Sequence, residues 1–161
     1  MNYQSETVPV GFEELERRCR AKGVAVTWQR RAVYEALRRR RDHPTADDLY
    51  DELAPRSPGL SRTTVYRVLE TLVGLGLAGR VAHPGASARF DPETGPHHHL
   101  LCSRCGRLID LDPDAVTEVS LPGELPEPFD IHDVSVYFRG TCTACAASES
   151  PASSSRRRHK P

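Results

Sequence analysis

Nowhere do about 18 apolar residues follow one another, the length a membrane-spanning helix requires, so no membrane partner is expected. Met1 to Val10 contain no basic segment followed by an apolar run, so no export signal is read and a cytoplasmic location is expected. Net charge is also missing, because 22 Lys and Arg balance 22 Asp and Glu. Cysteine is scarce, with five residues, yet four of them stand as two Cys-x2-Cys pairs, Cys102/Cys105 and Cys142/Cys145. In a reducing compartment such pairs point to metal rather than to disulfides. Cys19, the fifth, falls on a helical pattern and reads as buried filler.

What is present is unevenly spread. Residues 1–82 carry 14 Lys and Arg against 11 Asp and Glu, residues 83–149 carry 4 against 11, and residues 150–161 carry 4 against none. The first half can face an anion and the second can hold cations. A length of 161 residues permits one ordinary core or two small ones, and 38% hydrophobic content excludes wholesale disorder. Of two small domains each would be marginal, and a metal staple would support the second.

The first half reads as helices. Phe12, Leu15 and Cys19 give an amphipathic face between Gly11 and Gly23. Thr27 opens a second helix with Val33, Tyr34 and Leu37 inward, closed by the basic run Arg38 to Arg41. Thr45-Ala46-Asp47-Asp48 begins a third as a capping box before Leu49 and Leu53, and Pro55 and Pro58 stop it. Ser61 caps a fourth whose stripe is Val65, Leu69, Leu72 and Val73. Helices 45–54 and 62–75 read as helix-turn-helix, and segments 77–82 and 87–90, joined across residues 83–86, as a β-hairpin wing. The bland alternative is a helical domain that reads nothing. Against it, the fourth helix starts with Arg62, Thr63, Thr64, Tyr66 and Arg67, donors and a ring suited to phosphates, base edges and a thymine methyl. The positive excess is too small for a monomeric DNA binder, so a homodimer is expected, which doubles the phosphate contacts.

Residues 91–96 are turn-rich and read as a hinge. Beyond them His97-His98-His99-Leu100 runs into the first Cys pair. Cys102, Cys105, Cys142 and Cys145 make a closed four-thiolate set that suits one structural Zn2+. His97 and His99 lie on one side of an extended chain and can hold a second, exchangeable metal. Strands are expected at 100–102 and 108–111, a short helix at 112–120, a loop at 121–128, and a half-buried strand in which Val134, Val136 and Phe138 alternate. The sheet is expected to be antiparallel. From Ser148 the composition predicts a disordered basic tail. The fold class expected is α+β, a winged helix-turn-helix domain at 1–90 followed by a small α/β domain at 97–147 that carries the zinc.

Thr27-Trp28-Gln29-Arg30, His43-Pro44-Thr45-Ala46-Asp47-Asp48-Leu49-Tyr50, Thr64-Val65-Tyr66-Arg67, Arg89-Phe90-Asp91 and His97-His98-His99-Leu100 with the two Cys pairs together resemble the ferric uptake regulator family over roughly residues 12–146. The resemblance implies a dimeric winged-helix repressor, its second domain serving for dimerisation and metal sensing. It implies binding to a palindromic double-stranded operator when a divalent metal is loaded. The pattern is most similar to the peroxide-responsive branch, which implies an Fe2+ or Mn2+ site at His43, Asp91, His97, His99 and Asp110. Iron-sensing relatives usually place Glu where Asp91 and Asp110 stand. The resemblance also implies the off-switch, oxidation of His43 or His97 when Fe2+ meets H2O2. Trp28 replaces the family's usual Pro, and Pro96 and Val134 stand where His is common. A weak second exchangeable site at His98, His132 and Glu118 remains open. The alternatives are an iron, zinc or nickel sensor on the same scaffold and, from another class, a metal-dependent hydrolase. Five protein ligands and no separate general base argue against the hydrolase, so the chain is read as not an enzyme.

Overall fold

A computed structural model describes residues 11–81, 87–117, 119, 123, 127–130, 134 and 136–148. The chain is α+β and divides between Gly95 and Pro96 into two compact units. Among the described residues no helix is long and apolar enough to cross a membrane.

The first unit runs α1 (Phe12–Ala21), α2 (Trp28–Arg38), α3 (Ala46–Leu53), a 3-10 turn (Ala54–Arg56), α4 (Arg62–Gly74), β1 (Gly79–Val81) and β2 (Arg89–Asp91). The helix starts follow from their caps. The Arg30 N–H donates to Thr27 Oγ1 at 3.3 Å and the Thr64 N–H to Ser61 Oγ at 3.1 Å. At α3 the box is reciprocal, with the Asp48 N–H donating to Thr45 Oγ1 at 3.1 Å and the Thr45 N–H to Asp48 Oδ2 at 2.8 Å. Each such cap is worth ~1 kcal/mol. Helix α4 ends on Gly76, whose φ of 66° lets the Leu77 N–H reach Leu72 O at 2.9 Å. Arg18 locks that end by donating from Nη1 to Leu75 O at 2.9 Å and Gly76 O at 2.6 Å.

The inward stripes meet in one core, where Leu15, Leu37, Leu49, Leu69, Leu72 and Phe90 are all completely buried. Each such side chain stabilises by ~1.5–3 kcal/mol relative to leaving it in water. Two expectations shift. Phe12, at the first turn of α1, is 40% exposed. In α4 Val68 is buried and Val73 only packs against the core from outside, so the stripe turns toward the helix start. Strands β1 and β2 pair antiparallel, Arg80 opposite Phe90, as expected of a hairpin. Its connection at 83–86 lies outside the described residues. Asp91, assigned to the hinge from sequence, is instead the last residue of β2.

The second unit contains β3 (His98–Cys102), β4 (Leu108–Leu111), a 3-10 turn (Pro113–Ala115), β5 (Tyr137–Gly140) and α5 (Thr143–Ala147). The sheet order is β4-β3-β5, and it is mixed rather than antiparallel: β4 runs against β3, but β5 runs with it, His99 opposite Tyr137. A tight turn at Gly106, φ 70°, reverses the chain between β3 and β4. Residues 112–136 exceed the dozen or so that a parallel crossover needs, which frees β5 to enter from the same end as β3. The helix expected at 112–120 shrinks to the 3-10 turn because Asp112 caps the Asp114 N–H at 2.9 Å and Val116 is already extended, φ −112°, ψ 101°. Residues 118 and 120 of that span lie outside the described residues. Strand β5 also starts later than the alternation suggests, so Val134 and Val136 precede it and Phe138 is 45% exposed. Beyond Ser148 the expected tail is outside the described residues.

Candidate metal centre

Parallel pairing of β3 and β5 has a chemical consequence. Both strands end at the same edge, so Cys102, the last residue of β3, meets Cys142, which starts α5. With Cys105 and Cys145 they place four sulfurs within 4.8 Å of one another, all of them free thiols. The Cys105 and Cys142 Sγ atoms are 3.8 Å apart. Tetrahedral zinc with Zn–S bonds of ~2.3 Å has S···S edges of ~3.8 Å, whereas a disulfide needs ~2.0 Å. The Cys142 N–H donates to Cys102 Sγ at 3.3 Å. With the N–H groups of Cys105 and Arg104 it holds the Cys102 thiol down to about 6, in reach of the ligating thiolate form. Hydrogen bonds with Cys142 and Cys105, burial, and contact with Cys102 push Cys145 up to about 12. Four thiolates this close repel one another unless a cation lies among them, and the set therefore fits Zn2+.

On the opposite sheet face the same unit gathers imidazoles and a carboxylate. His97 Nε2 and His99 Nε2 are 3.0 Å apart, and Asp110 Oδ1 lies 3.9 Å from the first and 3.7 Å from the second. The β3–β4 register sets this, since His99 stands opposite Asp110. Tyr137, which sequence reasoning missed, stacks on the His99 ring at 5.1 Å and 15°. Its role depends on the β3–β5 register, which no local pattern reports.

The first unit contributes a separate pair. His43 and Asp91 are 1% and 2% exposed, with His43 Nε2 3.2 Å from Asp91 Oδ2. The other carboxylate oxygen accepts from the Glu93 N–H at 2.7 Å. His43 has φ 50°, the left-handed region, although a residue before proline favours extended backbone. Such a conformation costs on the order of 1–3 kcal/mol and persists only where neighbours hold it. Arg89, also missed from sequence, donates from Nη1 to His43 O at 2.9 Å. Imidazole and carboxylate are the mixed donors that Mn2+ and Fe2+ accept, so each group fits as part of such a site.

His98 is not among these groups. It points to the other face of β3, buried, and accepts at Nδ1 from the Val136 N–H at 3.4 Å. His132 and Glu118, its expected companions, lie outside the described residues. On α4, Arg62, Thr63, Tyr66 and Arg67 are exposed, while half-buried Thr64 is engaged with Ser61, Oγ to Oγ1 2.8 Å. Arg62 is also engaged. It donates to Asp47 and Asp51 of α3, each at 2.8 Å, and lies 4.3 Å over the Tyr50 ring. These exposed pairs are weak and reversible.

A model described as the ferric uptake regulator family matches residues 21–139. The chain belongs to the ferric uptake regulator family. It is 31% identical over 147 residues to the peroxide-responsive repressor PerR of Staphylococcus epidermidis, covering 90% of this chain and 97% of that protein. The ferric uptake regulator of Vibrio cholerae, at 26% identity, superposes with a TM-score of 0.60 over 80% of this chain and 99% of that one. That of Helicobacter pylori, at 21% identity, shares the fold with a TM-score of 0.65 over 86% and 93%. Among its described residues this family member has a thiol cluster and His/Asp groups that fit metal.

Proposed function

We propose that this member of the ferric uptake regulator family is a metal-dependent transcriptional repressor that senses peroxide. In this reading α3 and α4 form the helix-turn-helix and β1 and β2 the wing, and a cytoplasmic homodimer binds a palindromic operator. The contiguous apolar row Leu100, Ile109 and Phe138 supports the second unit as the dimerisation surface, since register puts these partly exposed side chains side by side on one sheet face.

The observation that carries the reading is that Asp, not Glu, pairs with His in both groups: Asp91 with His43, and Asp110 with His97 and His99. This is the pattern of the peroxide-responsive branch, whose staphylococcal repressor is 31% identical to this chain. We assign Zn2+ to Cys102, Cys105, Cys142 and Cys145, and one Fe2+ or Mn2+ to His43, Asp91, His97, His99 and Asp110 together. When bound, iron supplies the redox chemistry that makes H2O2 oxidise a nearby ring. The chain's own residues do the rest. His43 and Asp91 stand on the DNA-reading unit and the other three ligands on the dimerisation unit, so filling the set favours one relative orientation. Turning a 1:99 balance into 99:1 requires ~5.5 kcal/mol of differential affinity. An oxidised His43 or His97 weakens the set and releases DNA.

The test is mass spectrometry of the zinc-loaded protein after H2O2. With Fe2+ bound, a peptide containing His43 or His97 gains the mass of one oxygen atom and operator affinity falls; with Mn2+ neither occurs. Oxidation confined to the cysteines, or equal with both metals, overturns peroxide sensing. Metal-dependent selection of one DNA sequence from a random pool, at fixed salt, separates this repressor from a hydrolase.

A further inference from the structure

We propose that Arg89 is a positioning residue for the regulatory metal, holding the main chain of His43 so that its imidazole stays against Asp91. The inference rests on the reading of His43 and Asp91 as ligands. Arg89 and Asp91 are alternate residues of β2 and share a face, with Phe90 between them sunk in the core. The same strand grips the segment that carries His43 in two ways. Arg89 Nη1 donates to His43 O at 2.9 Å, and Thr45 and Arg89 form a β-bridge in which the Phe90 N–H donates to Pro44 O at 3.0 Å.

Of the two, only the first is made by a side chain, and it falls on the residue whose backbone is least at ease. With φ at 50° ahead of Pro44, His43 is in a conformation its own sequence disfavours. Its carbonyl is turned toward β2, where the guanidinium accepts the burden of fixing it. The charge of Arg89 also acts on Asp42 and Asp48, but its Nε is buried without a hydrogen-bond partner, and the bond to His43 O is the one that fixes the ligand's main chain. Released from Arg89, the His43 backbone relaxes toward the extended region and carries the imidazole away from Asp91. The arginine touches no metal; it acts through His43.

The test uses the full-length, zinc-loaded protein and Mn2+ as the probe, with titration calorimetry for affinity and electron paramagnetic resonance for the geometry of the bound ion. Arg89→Ala is expected to weaken Mn2+ binding by about 10–100-fold, the usual effect of removing a group that orients a ligand, and to alter the spectrum of the ion that still binds. Zinc content stays at one per chain. Arg89→Lys, which keeps a donor, recovers part of the affinity. Arg80→Ala on β1, where Arg80 pairs with Glu70 at 3.5 Å, leaves affinity and spectrum unchanged. A purely structural arginine would lower Tm while leaving the spectrum of bound Mn2+ as in the wild type, and that result overturns the proposal. So does wild-type affinity in Arg89→Ala or, if alanine prevents folding, in both Arg89→Lys and Arg89→Gln. A wild-type protein without any Mn2+ site sensitive to His43→Ala fails at an earlier step, removing the ligand assignment and this inference together.

Discussion

The thiol cluster and the His43–Asp91 pair differ in how they are held. Cys105 is exposed and Cys142 and Cys145 are half-buried, at the end of a small sheet with few fully buried side chains among the described residues. His43 and Asp91 lie almost entirely out of solvent beside a core of helices, braced by β2. In the described part of the second unit the thiol cluster stands where the first unit has apolar burial, and the first unit presents its pair ready-made. In the proposed assignment, zinc is part of the fold and the Fe2+ or Mn2+ ion is a signal. A cation that organises four mutually repelling thiolates cannot leave without cost to structure, while one that joins preformed groups can come and go.

The sharpest break of that contrast is removal of zinc. Cys102→Ser is expected to lose zinc and unfold the second unit, since structural zinc sites bind with ~10–16 kcal/mol of apparent free energy at neutral pH; ultracentrifugation should show the dimer gone while circular dichroism retains the helices of the first unit. His43→Ala is next in size. It should weaken Mn2+ binding by more than the ~10–100-fold that losing a ligand-orienting group costs and abolish metal-dependent operator binding, with zinc content unchanged by elemental analysis. Loss of zinc from this variant would erase the distinction between the two kinds of site.

Smaller effects sharpen the claim that the first unit stands on ordinary packing. At Gly76, φ is 66° and an added Cβ would lie 2.7 Å from Arg18 Nη1. Gly76→Ala should therefore destabilise by ~1–2 kcal/mol, read as a lower Tm with zinc content intact. Thr45→Ala removes the capping box and should cost ~1 kcal/mol. Burial raises the Asp48 carboxyl, but hydrogen bonds from the Thr45 N–H and hydroxyl, with the charges of Arg40 and Arg89, bring it below its ordinary value. A depressed carboxylate contributes stability above its unfolded pKa and loses it as pH falls through the folded one. The wild-type advantage over Thr45→Ala should accordingly shrink in acid.

Much of this was legible in the chain because the signals are local. Thr45 with Asp48, Ser61 before its helix, and the two Cys-x2-Cys pairs each announce themselves within a few residues, and the helical stripes predict the core of the first unit with Val68 and Val73 exchanged. The second unit was less legible because its sheet is ordered by a long connection. Nothing local in residues 112–136 says that β5 enters parallel to β3, and without that register neither the Tyr137–His99 stack nor the exposure of Phe138 can be foreseen. The left-handed His43 ran against the rule for a residue before proline, so Arg89 had no visible task. The engagement of Arg62 does have a local signal, since Asp47 and Asp51 are one helical turn apart on α3, spaced to take one guanidinium.

In the proposed function His43 and His99 bind the same exchangeable ion, which a double-mutant cycle on Mn2+ affinity decides. We predict one exchangeable Mn2+ per zinc-loaded chain, with His43→Ala and His99→Ala each weakening it and the double variant losing far less than the two losses combined. Two Mn2+ per chain, each removed by only one of the variants, with losses that simply add, would mean that the two histidines serve separate ions.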